Sequence, residues 1–470
     1  MQLSRRQFVG WLGGSALAGA ALAKPRFAGA FPSESPTFGN PSMRASIERA
    51  LKTVKIPSLQ PPFRLGEPWH RATVARLQTH LRDRGLAGVL CANHLNHNYL
   101  AGYFLTRTER PMFLFIPARG EPSFFHPGLD RDLVSSWWIK DNEWYFDFHH
   151  AGAYNKIQWK AGKKEDLWIW AAKNLAKRGY GKGKLGLDRE AVPSLAKKLK
   201  ETLPEVDWVN LEKDLLHMRQ IKTPEEIKLT QKAIDLHDAM LAFARSYILE
   251  HGTAATDYDV RIATSEFGTR KLMEVLGPEL DARPHTGVGL ALGFGCRTGP
   301  ATAYPHPNQF FFRRIQKGDA IQIASLIRIG GYGGEGYRAC HIEPIPDLGK
   351  KMWEVHTEMT RTQAELCRVG TRCNQVAEKV LTLALNAGLE KYVYHRPAHG
   401  EGMEGHQAPW IALGDDTVLE ENMMFSNEPG LYNSEGGFGY NHSNNVRVAR
   451  DRGVIMNQTP FTKKWCWLKL

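Results

Sequence analysis

The sequence predicts two folded units: a smaller α/β domain, then a larger α+β domain. Three observations lead there. The chain of 470 residues is longer than one hydrophobic core ordinarily serves. Its first half alternates short apolar runs with amphipathic helical stretches, the pattern of a sheet with helices between strands. Its second half opens on long helices and then turns to extended segments and glycine-rich turns, with helices segregated from strands. An apolar content of 42% and a charged content of 23% exclude a disordered chain.

Residues 1–30 read as a leader. Arg5 and Arg6 precede the apolar run WLGGSALAGAALA, and Ala21-Leu22-Ala23 and Ala28-Gly29-Ala30 each offer a small-residue cleavage site. The run is too short and too rich in glycine to span a bilayer core of ~30 Å. It resembles a twin-arginine signal peptide, which implies passage through the twin-arginine export machinery and a periplasmic or secreted protein. No later segment reaches a membrane-spanning length. Residues 31–62, rich in Pro, Ser and Gly, are expected to form a flexible arm.

Residues 63–215 carry the α/β pattern. A helical period begins at Trp69 and stops at Gly85. AGVLCA, PMFLFIPARG and EPSFFHPG then read as strands. Helices are expected at 166–177 and 192–203, with KLGLD between them as a short strand. The second unit, 216–470, starts on a helix. Thr223 is its N-cap, Pro224 takes the first helical position, and Glu226 completes a capping box. That helix runs to His251-Gly252, and another follows the acidic cap at 257–259. Strands and glycine turns come next, interrupted by helices near 350–367 and 374–387.

The net charge of +12 does not mark a nucleic-acid binder. The lysines fall in short runs at helix faces and turns, without the interleaved aromatics a single-strand groove needs. Solvated surface, or a basic rim steering an anionic substrate, is the use that remains. The six cysteines form neither a disulfide framework nor a CxxC zinc pair. Cys367 and Cys373 flank Gly370, and export would allow them to bridge.

Four segments of the second unit hold residues capable of chemistry. TGPATAYPHPN sets His306 on a rigid turn between prolines. GGYGGEGYR carries Glu335 and Arg338. HRPAHGEGMEGHQAPW carries His399 and His406, and MMFSNEPGLYN carries Glu428 at a strand end. Each residue alone is an ordinary turn or surface residue. Together they supply two carboxylates and several imidazoles, the mix used for general acid–base work or for a divalent metal.

The order and spacing of RQIKTPEEI, GPATAYPH, QKGDAIQI, GGYGGEGYR, HGEGMEGHQAP and MFSNEPGLY resemble the creatinase, aminopeptidase P and methionine aminopeptidase superfamily, with its pita-bread fold. The preceding domain resembles the N-terminal domain of the creatinase and prolidase branch. The resemblance implies a peptidase-type or creatinase-type hydrolase, dimeric in the creatinase manner. It also marks where the ligand pattern breaks. The family's first metal-binding aspartate falls on Ala324, the second on Glu335, and the bridging glutamate of Gly-x-Arg-x-Glu-Asp on Ser443; Gln407 replaces the acid after the second histidine.

A two-metal Xaa-Pro peptidase site is therefore not expected. The resemblance leaves Glu335, His399 and Glu428 for one ion at most (zinc, iron or manganese), or no metal at all. The expected reaction is hydrolysis of a C–N bond in a small amino-acid-like or amidino substrate. His306, His399, Glu335 and Glu428 are the candidate catalytic residues, with His306 as acid and base. His406 and Arg338 are candidate substrate contacts. So are Arg107 and Arg110, which in creatinase-like dimers would close the partner's pocket. A lyase on a small metabolite and a catalytically silent binding protein are the alternative readings.

Overall fold

The protein is described by a computed structural model covering residues 40–146, 166–276, 285–307 and 312–470. The leader at 1–30 lies outside the described residues. Among them, no helix is long and apolar enough to cross a membrane.

After α1 (Pro41–Thr53), the N-terminal module places α2 (Glu67–Asp83), β1 (Gly88–Cys91), α3 (His94–Ala101), β2 (Phe113–Pro117), β3 (Ser123–Pro127), α4 (Arg131–Ser135) and β4 (Asp141–Tyr145). It continues through α5 (Leu167–Lys177), β5 (Lys182–Leu187), α6 (Pro193–Thr202), β6 (Glu205–Asn210) and α7 (Glu212–Gln220). Its six strands form one mixed sheet in the order β4-β3-β2-β1-β5-β6. Strands β1, β2 and β3 are buried at every position, as expected for a sheet covered by helices on both faces. Gly85 ends the stretch after α2 with φ 67°, a backbone that glycine adopts without strain.

The second module begins with α8 (Pro224–His251), nucleated by the capping box the sequence announces. The Thr223 hydroxyl accepts from the Glu226 amide, and the Glu226 carboxylate accepts from the Thr223 amide at 2.7 Å. Next come α9 (Asp257–Leu276), β7 (Ala291–Thr298), β8 (Ala320–Ile329), β9 (Tyr332–Ile342), α10 (Asp347–Leu366) and α11 (Cys373–Asn386). Then follow β10 (Ala398–Gly400), β11 (Gln407–Ile411), β12 (Met424–Asn427), β13 (Leu431–Asn433), β14 (Phe438–Tyr440), β15 (Asn444–Arg447), β16 (Val454–Ile455), α12 (Lys463–Cys466) and β17 (Trp467–Leu468). One sheet runs β17-β9-β8-β7 and the other β11-β10-β12-β15-β16. They meet where Tyr337 and Ser443 exchange two backbone hydrogen bonds of 3.2 Å. Helix α8 packs on the back of β8 and β9. This is the α+β arrangement the sequence predicts, and the strand ends of both sheets converge on one site.

The expected flexible arm at 31–62 is corrected over its middle, which is helix α1. The Asn40 side chain accepts from the Ser42 amide, Pro41 sits in the first turn, and Met43, Ile47 and Leu51 bury one face. That face packs on α9. Glu48 pairs with Arg270 at 2.7 Å, and Lys271 Nζ donates to the Leu51 carbonyl at 2.7 Å. Apolar residues four apart fold this segment against a neighbour despite the Pro and Ser around them. Cys367 and Cys373 are buried free thiols, as are Cys91, Cys340 and Cys466.

Candidate active site

Strands β8 and β9 set one wall. Register pairs Ala324 with Tyr337 and Leu326 with Glu335, so Glu335 and Tyr337, two residues apart, share a face. The Tyr337 phenol donates to Glu335 Oε2. His406 Nε2 lies 3.4 Å from Glu335 Oε1. Burial raises the Glu335 carboxyl, but these two donors outweigh it and hold the group below the ordinary carboxylate range. The same contact with Glu335 raises His406, whose ring is half exposed. Burial pushes the Tyr337 phenol well above its usual value, so it stays protonated and donates.

The other wall comes from β10 and β12. His399 pairs with Ser426 across the strands, and Glu428 follows the end of β12, its amide donating to the Pro397 carbonyl at 3.0 Å. His399 Nδ1 lies 3.1 Å from the Gly400 carbonyl, which fixes the tautomer with the proton there and leaves a lone pair on Nε2. That buried Nε2 lies 3.1 Å from Glu428 Oε1, yet out of line for a hydrogen bond, so it has no hydrogen-bond partner. The His399 and His406 rings stack with centroids 3.9 Å apart.

Donor atoms of Glu335, His399 and His406 lie within 4.8 Å of one another, the one such group among the described residues. Two imidazoles and a carboxylate around an orphaned nitrogen suit one divalent ion. Glu428, expected in that set, approaches His399 Nε2 at 3.1 Å but is outside the group, which His406 joins instead. Beside this group, Ala324 presents a methyl group and no ligand atom. Ser443 is equally unavailable, its hydroxyl contacting Ser426 Oγ at 2.7 Å and the Glu335 carbonyl at 3.2 Å.

The remaining expected residues separate. His306 is exposed on its turn and, among the described residues, makes no hydrogen bond or ion pair; the next residue, Pro307, lines a cavity of about 290 Å³ together with Ala324 and Tyr337. The expectation for Arg338 is corrected. It is fully buried, and its guanidinium donates to the carbonyls of Tyr337, Ser443 and Thr459 and to Asn444 Oδ1, which leaves nothing for a substrate. Arg107 and Arg110 line a separate cavity of about 140 Å³ in the N-terminal module with His94 and His97.

Three residues escaped the sequence reading. Tyr337 was legible in principle, since a two-residue spacing on a strand puts it beside Glu335. Arg297 of β7 carries no motif; its Nη1 donates to the Pro305 carbonyl at 2.9 Å and to Gln322 Oε1 at 2.8 Å. Glu401, inside HGEGMEGH, is fully buried, and neither carboxylate oxygen has a well-formed hydrogen bond. Burial first, then the Glu335 charge, pushes it well above the ordinary carboxyl value, against relief from Lys222, the Glu335 amide and Arg328.

Comparison with known proteins agrees with this architecture. Residues 228–450 match the model of metallopeptidase family M24, and residues 74–221 match the creatinase/prolidase N-terminal domain. The chain is 26% identical over 389 residues to a putative dipeptidase, YkvY, of Bacillus subtilis, covering 82% of this chain and 98% of the relative. It is 23% identical over 405 residues to a creatinase of Bacillus sp., covering 84% and 91%. The crystal structure of dipeptidase PepE from Mycobacterium ulcerans superposes with a TM-score of 0.69 at 22% identity, over 86% of this chain and 99% of that one. The two family matches together span most of the chain, which belongs to the superfamily that unites creatinase, prolidase and the M24 metallopeptidases.

Proposed function

We propose that the protein hydrolyses a C–N bond of a small amino-acid-derived substrate at a single centre, rather than acting as a two-metal Xaa-Pro peptidase. One observation carries the reading: the 3.1 Å approach of His399 Nε2 to Glu428 Oε1. Two lone-pair sites at that distance repel unless a proton or cation lies between them. A proton taken from the attacking water therefore has a place to rest on His399 Nε2, beside the Glu428 carboxylate. The water oxygen bonds to the carbonyl or amidino carbon as that proton leaves. The C–N bond then breaks, and the departing nitrogen takes a proton from His406, whose hold on a proton the contact with Glu335 strengthens. Proton handling of this kind contributes roughly 10²–10⁴-fold. Tyr337 orients Glu335 throughout. With both imidazoles neutral, Glu335, His399 and His406 would instead hold one divalent ion, whose Lewis-acid polarisation would take the place of the His406 proton.

Several parts of the reading rest on sequence pattern. They are twin-arginine export to the periplasm or beyond, a homodimer, and Arg107 and Arg110 reaching the partner's pocket. The test is hydrolysis of a panel of dipeptides, N-acyl amino acids and amidino acids, with metal analysis of the purified protein, His399→Ala and Glu335→Ala. At most one ion per chain, lost in both variants, and turnover lost in His399→Ala are expected. Two ions per chain, or undiminished turnover in His399→Ala, would overturn the mechanism. Ligand binding without turnover of any panel member would make the protein a binding protein.

A further inference from the structure

The geometry points to Arg297 as the residue that selects substrates carrying a carboxylate, bound in the cavity beside Tyr337. This rests on the hydrolase reading above and names its substrate class. The cavity of about 290 Å³ has Ala324 and Tyr337 in its wall, so it lies next to the tyrosine whose phenol bonds Glu335. At about 30 Å³ per water, that volume suits one amino-acid-sized group rather than a long peptide.

Arg297 stands on the same wall. Register pairs it with Gln322, and pairs Gly295 with Ala324, so Arg297 and Ala324 are diagonal neighbours on one face. Its Nη1 is held by both the Pro305 carbonyl and Gln322 Oε1. Among the described residues, Nε and Nη2 make no hydrogen bond, and no carboxylate forms an ion pair with the group. A guanidinium fixed on one nitrogen, with a free edge facing a cavity, is preorganised for a bidentate carboxylate. The sequence supplies the reason the edge is free. A carboxylate at 324 would be the natural partner of Arg297, and that position holds a methyl group.

The charge of the lining agrees. The lining holds a single acid, Asp257. Asp257 is buried and already accepts from the Arg313 amide at 3.1 Å, so it does not neutralise Arg297. Gly293 and Gly295, on the same strand as Arg297, leave the wall open where side chains would fill it.

The experiment compares binding of alanyl-proline and N-acetylglycine with their C-terminal amides, by isothermal titration calorimetry, on the full-length protein. In the wild type the free carboxylate of at least one pair is expected to bind tenfold or more tighter than its amide. In Arg297→Met the ratio should fall to near one, and in Arg297→Lys it should lie between, because a point charge replaces the fork. Ligand-free thermal unfolding reports folding of both variants. Should the methionine variant fail to fold, the wild-type ratio and the lysine variant decide. No carboxylate preference in the wild type, including no binding of either form, overturns the assignment, as does a preference unchanged in Arg297→Met. Discrimination without hydrolysis would sink the hydrolase reading and leave the subsite standing; hydrolysis without discrimination would do the reverse.

Discussion

On the face of β9 that looks across to β10 and β12, Glu335 has a donor approaching each carboxylate oxygen. Behind the same strand, Glu401 reaches Gly334, with neither oxygen well bonded. Both acids are buried, and Glu401 packs against Gly334, the residue before Glu335. Their protonation is nevertheless pushed in opposite directions, Glu335 down and Glu401 up. Burial is common to both, so the donors decide. Tyr337 and His406 give the front carboxylate a charge the back one cannot keep. The glycines of GGEGYR make this two-sided strand possible. A Cβ at Gly334 would fall 2.2 Å from Glu401 Oε2, and one at Gly336 would fall 2.6 Å from His237 Nδ1.

Breaking the front face is expected to have the largest effect. His399→Ala removes the orphaned nitrogen that faces Glu428, and turnover on any substrate found should fall roughly 10²–10⁴-fold. Circular dichroism and the thermal midpoint should stay close to wild type, since Nδ1 makes only one hydrogen bond to a neighbouring carbonyl. Turnover within threefold of wild type would contradict the assignment.

The back face breaks through packing instead. Gly336→Ala forces a methyl group against His237, which is pinned because its Nε2 accepts from the Ile327 amide at 2.9 Å. A loss of about 1–3 kcal/mol is expected in urea unfolding. An unchanged midpoint would mean that α8 can move away from β9.

What the sequence revealed follows from how local each signal is. The capping box at Thr223 and Glu226, and the strand bearing Glu335, are written in adjacent residues and were legible. So were His399 and Glu428, because their motifs keep order and spacing. Arg338 misled because an arginine three residues after a ligand-like acid looks chemical. Only the position of β15 and Thr459 behind it reveals that carbonyls consume its donors. Helix α1 was hidden by flanking Pro and Ser, whose turn preference outweighed the spacing of Met43, Ile47 and Leu51. Arg297 could not be found without the register that places it beside Ala324. Exchange of Glu428 for His406 in the ligand group likewise depends on the stacking of two rings, one on β10 and one on the bend before β11.

Acid should expose the back face next. Burial is the main cause that lowers His237 from 6.5 to about 3, with Arg328 also lowering it against the raising effect of Glu335. Below pH ~6.5 the unfolded chain takes up a proton that the folded chain refuses. Stability attached to this group is therefore complete above pH ~6.5 and declines as pH falls towards its folded value, by up to about 1.4 kcal/mol per pH unit. His356, lowered to about 3 by burial, has the same sign. Urea midpoints at pH 7 and pH 5 should differ, and His237→Gln should flatten the difference. A midpoint that rises on acidification would show that the imidazole is not held neutral.

The mildest test removes a single oxygen from the front face. Tyr337→Phe keeps the ring that lines the cavity opposite Ala324 and deletes the donor to Glu335 Oε2. Glu335 then keeps only the 3.4 Å approach of His406, and its orientation loosens. One neutral donor to a charged acceptor contributes about 1.5–3 kcal/mol. The ring's packing is kept, so a fall in turnover of roughly tenfold is expected, at the lower end of that range. Zinc titration gives the complementary reading. The phenol draws on the charge of the same carboxylate through Oε2, so zinc should bind the phenylalanine variant more tightly than the wild type. Weaker zinc binding would instead mean that the phenol prepares Glu335 for the ion, and the front face would be a metal centre with tyrosine as its support.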